Sequence, residues 1–292
     1  MHHKCTRHLT RPFSSDLFVN RHRENTLTGR IEVERLDRGV HLVWIDNPAQ
    51  KNALNNQLIV QLTEAYAKAS GDEACRIVVL RGRGGLYCAG RDLRDVLELQ
   101  SSEPGVSAQR YSELRRLNEA IHYCRKPTVA VIESYAFGAG ITVASWCDIV
   151  LAADNALISY PELSHGIPPS PAIPALLQAV SRKVAMELIL TGRRITAAEA
   201  ERIGLITRSV RKGDLEGYLG ALLDSILKGA QGTIERTKEF IWLAEDSSHH
   251  SAMISAVDSI SIGVLSQETK TRIEAFFNRP KSKQATANED KV

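Results

Sequence analysis

The sequence lacks several things, and each absence removes a class of function. Its five cysteines (Cys5, Cys75, Cys88, Cys124 and Cys147) are odd in number and scattered, and no two have C-x-x-C spacing. A disulfide framework or a thiolate metal site needs cysteines in pairs, so the pattern predicts free thiols in a reducing compartment, the cytoplasm, and no metal. No apolar run reaches the roughly 18–20 residues that span a bilayer. The longest, from Ile141 into Leu151, is interrupted by Asp148, so no membrane partner is expected. Charge of one sign is also scarce: 37 Lys and Arg against 34 Asp and Glu leave +3. That excess is too small to predict nucleic-acid binding, although it suits a small ligand carrying several phosphates. No internal sequence repeat is evident.

What is present reads as a globular α/β chain. The 292 residues, 43% apolar and 24% charged, can bury a substantial core as one large domain or two small ones. Ile31 to Arg35 and Val40 to Ile45 flank Asp37-Arg38-Gly39 and predict a hairpin. Leu58, Ile59, Leu62, Ala65 and Tyr66 recur at helical spacing, as do Leu114, Leu117 and Ile121 within Arg110 to Tyr123. Ile77 to Leu80 and Thr128 to Ile132 read as buried strands. After about Arg208 the strand signal ends. Helices are predicted around Leu215 to Ile226, Ile234 to Ala244, Ser251 to Leu265 and Glu268 to Phe277. Residues 1–28 read as a disordered extension and 281–292 as a disordered polar tail. Met1 to Ser15 has no acidic residue but carries Lys4, Arg7, Arg11 and three histidines, which is also the composition of a mitochondrial transit peptide.

Two glycine-bearing turns carry the functional information. Tyr87-Cys88-Ala89-Gly90-Arg91-Asp92-Leu93 and Ser134-Tyr135-Ala136-Phe137-Gly138-Ala139-Gly140 each follow a strand and open into a helix. Such turns can aim two backbone N–H groups at one point, where a carbonyl oxygen that becomes negative in a reaction would be held. Glycine allows a ligand close to the main chain. Cys88, beside the first turn, reads as a packing residue, because no histidine is placed by spacing as its base.

With the surrounding letters, these turns resemble the crotonase (enoyl-CoA hydratase/isomerase) superfamily. The matching stretches are Asn47-Pro48 with Lys51-Asn52-Ala53-Leu54-Asn55, Cys88 to Leu93, Tyr135 to Gly140, Cys147-Asp148, Tyr160-Pro161-Glu162, Gly166-Ile167-Pro168-Pro169, Leu190-Thr191-Gly192, Ala197-Ala198-Glu199-Ala200 and Gly204-Leu205, in that order. The resemblance implies a spiral of repeated β-β-α units over residues 29–207. It also implies a C-terminal helical region, 208–280, that packs between subunits of a homotrimer or a dimer of trimers.

The resemblance further implies chemistry on an enoyl-CoA thioester, with coenzyme A entering as part of the substrate and no separate cofactor. The backbone amides of Ala89 and Ala139 are expected to hold the enolate oxygen. Ala139 stands where many relatives have glycine. Glu162 is expected to be the acid/base. The position where hydratases of this family carry a second glutamate is Thr142, whose hydroxyl could hold a water for Glu162 to activate. Lys51, Ala53, Leu54, Arg91 and Asp92 are expected around coenzyme A, Lys51 and Arg91 at its phosphates. Hydration of an enoyl-CoA is the leading expectation. Double-bond migration using Glu162 alone is the second, and a catalytically silent relative serving in assembly or RNA binding is the third. Ser164-His165 lies near the site but has no Asp partner by spacing, so no triad is read. The prolines of Gly166-Ile167-Pro168-Pro169-Ser170-Pro171 replace a glycine-rich loop and predict an acyl pocket of different shape, for a branched or aromatic chain.

Overall fold

The computed structural model describes residues 29–100 and 103–278. The extension 1–28 and the tail 281–292 lie outside the described residues. The expected hairpin is present: β1 (Arg30–Arg35) and β2 (Val40–Asp46) pair antiparallel, with Arg30 opposite Asp46. Next comes α1 (Asn56–Gly71), capped by Asn55, whose side-chain oxygen accepts from the Leu58 N–H at 2.8 Å. Its apolar stripe, Leu58, Ile59, Leu62, Ala65 and Tyr66, is buried as the periodicity predicts. Then follow β3 (Ile77–Gly82), α2 (Leu93–Gln100), α3 (Pro104–His122), β4 (Thr128–Ile132), β5 (Tyr135–Phe137) and α4 (Ala139–Ser145). After them come β6 (Ile149–Ala153), β7 (Leu157–Ser159), α5 (Ile173–Ala179), α6 (Arg182–Thr191), β8 (Ile195–Thr196), α7 (Ala197–Arg202) and β9 (Arg208–Val210). The chain closes with α8 (Leu215–Leu227), α9 (Gln231–Glu245), α10 (His249–Val264) and α11 (Gln267–Phe277).

The main sheet has the order β1-β2-β3-β4-β6-β9, parallel except for the first pair. Strands buried on both faces need apolar runs, which β3 has from Ile77 to Leu80 and β4 from Val129 to Ile132. Alternate residues face two cores. Val43, Val78, Leu80 and Ala130 join the core that includes side chains of α1, α3 and α4, whereas Leu42, Ile77, Val79 and Val129 join Leu215, Leu219 and Leu223 of α8. A second sheet has the order β5-β7-β8.

The two sheets together form the spiral. Each of three successive units has one strand in the main sheet, a second short strand, and a helix: β3, the bridge residue Cys88, then α2; β4, β5, then α4; β6, β7, then α5. The second strands line up in parallel, Cys88 pairing with Ala136 and Ala136 with Ile158.

The chain divides into two compact units, one ending at Lys228 and one beginning at Gly229. The boundary drawn from the sequence, between 207 and 208, therefore falls too early. β9 extends the sheet and α8 covers one of its faces, so both continue the first unit. In the second unit α9, α10 and α11 follow one another as helices, as expected.

Candidate active site

The aligned second strands decide which residues meet. Counting from the Cys88–Ala136–Ile158 row, Gly90 matches Gly138, Arg91 matches Ala139, and Asp92, Gly140 and Glu162 fall in the next row. The site residues thus leave the ends of three neighbouring short strands. Gly90 has φ +102° and Gly138 φ +52°, a region that favours glycine. The turns also touch. A Cβ on Gly90 would lie 2.8 Å from the Phe137 carbonyl oxygen and 3.5 Å from the Ala139 nitrogen. A Cβ on Gly138 would lie 3.0 Å from Glu162 Oε1.

This geometry corrects one expectation. The Ala89 N–H does not face a ligand site: it donates to the Lys51 carbonyl at 3.1 Å. Cys88 N–H is engaged by Tyr135 O, Gly90 N–H by Cys88 Sγ, and Asp92 N–H by Leu54 O. Among the described residues from Tyr87 to Asp92, Arg91 N–H is the one amide that has no acceptor. Ala139 N–H, at the start of α4, likewise has none, as expected at a helix N-terminus. Aligning Gly90 with Gly138 along the sequence would have placed Arg91 beside Ala139.

Glu162 begins the short 3-10 turn Glu162–His165, and its carbonyl accepts from Ile167 N–H at 3.0 Å. Its Oε2 is buried and has no hydrogen-bond partner. Burial pushes its carboxyl above the usual range, opposed by smaller effects of its own main-chain N–H and of His165. Thr142 is buried, and its hydroxyl donates to the Gly138 carbonyl at 3.0 Å. The hydroxyl proton is therefore engaged, and what Thr142 offers a water is a lone pair. Ser164 Oγ donates to the Pro161 carbonyl at 2.7 Å, and His165 Nδ1 lies 3.3 Å from that same oxygen. The pair braces the turn, and no triad forms. Burial pushes the Cys88 thiol up to about 12, which suits packing and opposes a nucleophilic role.

Arg91, Ala139, Thr142 and Glu162 line one cavity of about 410 Å³. Tyr111, Leu114, Ile167, Pro168, Pro169 and Pro171 supply much of its apolar wall, and of these only the proline run was anticipated. Of the residues expected around coenzyme A, Ala53, Arg91 and Asp92 line the cavity. Lys51 and Leu54 do not. Lys51 is exposed outside it. Leu54 is fully buried, its N–H on Gly90 O and its carbonyl accepting from Asp92 N–H. Arg91 does not reach outward for phosphates: its Nη2 donates to Asn56 Oδ1 at 2.8 Å, and its Nε and Nη1 are buried. Asp92 is held below the usual carboxylate range mainly by Arg94, which binds both its oxygens and also reaches Gln50. The exposed cation at the cavity is thus Arg94, which the sequence reading overlooked.

Known proteins share this arrangement of elements. A profile of the enoyl-CoA hydratase/isomerase family matches residues 35–281. A probable enoyl-CoA hydratase of Mycobacterium bovis is 32% identical over 219 residues, 75% of this chain and 83% of that protein. A mitochondrial enoyl-CoA hydratase domain-containing protein 2 of Bos taurus is 32% identical over 180 residues, 61% of this chain and 60% of that protein. The crystal structure of an enoyl-CoA hydratase from Polaromonas sp. JS666 superposes with a TM-score of 0.80 at 26% identity, covering 85% of this chain and 97% of the other.

Proposed function

The chain belongs to the enoyl-CoA hydratase/isomerase family, and from that premise we propose that it adds water across the double bond of an enoyl-CoA. One observation carries the reading: a buried carboxylate oxygen without a partner shares a cavity with two main-chain N–H groups that have no acceptor. In the proposed step the thioester oxygen accepts from Arg91 N–H and Ala139 N–H. Glu162 takes a proton from water as its oxygen bonds to C3. The double-bond electrons move onto the thioester oxygen, and the enolate is held there by the two amides. Glu162 then returns a proton to C2, giving the 3-hydroxyacyl-CoA with Glu162 regenerated. Thr142 Oγ1 accepts a hydrogen bond from the water, the role left open by its own bond to Gly138 O.

Isomerisation is the second reading, favoured by that same bond, since it leaves Thr142 no proton to give. Full-length protein incubated with short, branched and aromatic enoyl-CoAs separates the two by product mass. Hydration adds one water, and Thr142→Val should slow it about tenfold or more. Double-bond migration leaves the mass unchanged and should be insensitive to Thr142→Val. Failure to bind any CoA thioester would leave the third expectation, a silent relative.

We also assign the stripe Met253, Val257, Ile260 and Val264, exposed along α10, to contact between copies of the chain in a trimer or a dimer of trimers. The buried cysteines Cys75, Cys88, Cys124 and Cys147 suit the cytoplasm. Import of the full chain into mitochondria would instead assign residues 1–15 as a transit sequence.

A further inference from the structure

We propose that the buried guanidinium of Arg91 is a standing positive charge held for the thioester oxygen, polarising the group that its own main-chain N–H binds. This rests on the oxyanion role proposed above. The side chain reaches the start of α1, where Nη2 donates to Asn56 Oδ1. Nε and Nη1 are buried and have no acceptor. Arg91 makes no ion pair among the described residues.

Asp95 and Asp92 lie close enough to favour the charged arginine, but neither forms an ion pair with it. Asp95 Oδ2 accepts from Asn56 N–H at 2.7 Å, and both oxygens of Asp92 are bound by Arg94. The other charged or titratable neighbours are Arg110 and Tyr111. Burial lowers the arginine's pKa despite Asp95, as expected for a cation short of counter-charge.

Such a charge lowers stability, because desolvation is only partly offset. Groups of this kind concentrate at functional sites. Covalent geometry keeps the guanidinium on the order of 6 Å from its own amide nitrogen. At that distance in a poorly screened interior a unit charge is strongly felt. A thioester oxygen that becomes negative adds counter-charge that the bound substrate does not supply. The interaction is therefore stronger in the transition state than with bound substrate, the condition for acceleration. The competing role is purely structural, with Arg91 tethering the turn to α1 through Asn56.

A chromophoric thioester, 4-dimethylaminocinnamoyl-CoA, distinguishes them, because its absorption moves to longer wavelength as the carbonyl oxygen is polarised. Titrated into full-length protein, wild type should bind it with a red shift. Arg91→Met and Arg91→Gln should bind it within about threefold of wild type yet lose at least about half of the shift. Arg91→Lys should restore most of it. Asn56→Ala, which removes the tether and keeps the charge, should retain the shift. Melting temperatures of the neutral variants should be equal to or above wild type. An undiminished shift in folded Arg91→Met or Arg91→Gln overturns the proposal. So does an equal loss in Asn56→Ala, which would make Arg91 a tether only. A wild type that binds the thioester without any shift removes the oxyanion role itself, and this inference with it.

Discussion

A carboxylate buried without a partner weakens the fold, and Glu162 is held in that condition between a glycine turn and a proline-rich wall. Its carboxyl titrates above the usual carboxylate value of about 4.3 because the charged form is desolvated. The proposed step uses the base form, so turnover should fall as pH drops through this raised value. Linkage runs the other way for stability. The folded state binds the proton more tightly than the unfolded chain, so folding is favoured as pH falls through the same range. Glu162→Gln should therefore cut turnover by about a hundredfold to ten-thousandfold while melting at or above the wild-type temperature at neutral pH. Near-normal turnover in that variant would remove Glu162 from the chemistry. Glu162 and Ala139 could be singled out from the sequence because both sit inside motifs that resemble those of the family. The Arg91 amide could not, since which N–H of the first turn stays free depends on the Lys51 carbonyl, nearly forty residues away, occupying that of Ala89.

At the scale of elements, the site exists because three strand-to-helix junctions are brought side by side by very short strands. β5 and β7 have three residues each and β8 has two, too few to display a period of two, so these strands were invisible in the sequence. The longer apolar runs of β3 and β4, and the stripes of α1 and α3, were plain. The role of α8 was read only in part. Its leucine stripe predicts a helix, but nothing local says that Leu219 and Leu223 face the main sheet. Leu223→Ala should consequently cost about 2–5 kcal/mol, read from urea unfolding. A change below about 0.5 kcal/mol would place α8 outside the core and restore the earlier boundary.

For the whole molecule, the sequence resolved the family but not the partition into units, because cohesion depends on which face each helix covers. The exposed stripe on α10 predicts self-association. Light scattering on the full chain should give the mass of three or six copies, and a monomer at micromolar concentration would refute that assignment. The central claim is that Glu162 and two main-chain amides generate a thioester enolate. Solvent deuterium at C2 reports it most directly, since only a molecule that has passed through the enolate acquires it. Full-length protein, Glu162→Gln and Ala139→Pro would be incubated with short, branched and aromatic enoyl-CoAs in heavy water, and the products analysed by mass and position of label. The wild type should yield a 3-hydroxyacyl-CoA with one deuterium at C2. Glu162→Gln should incorporate about a hundredfold less or lower still. Ala139→Pro, which deletes one of the two N–H donors, should do likewise provided it melts cooperatively. A wild type that binds these thioesters yet places no deuterium on carbon, or a folded Ala139→Pro variant that labels at the wild-type rate, would contradict the account.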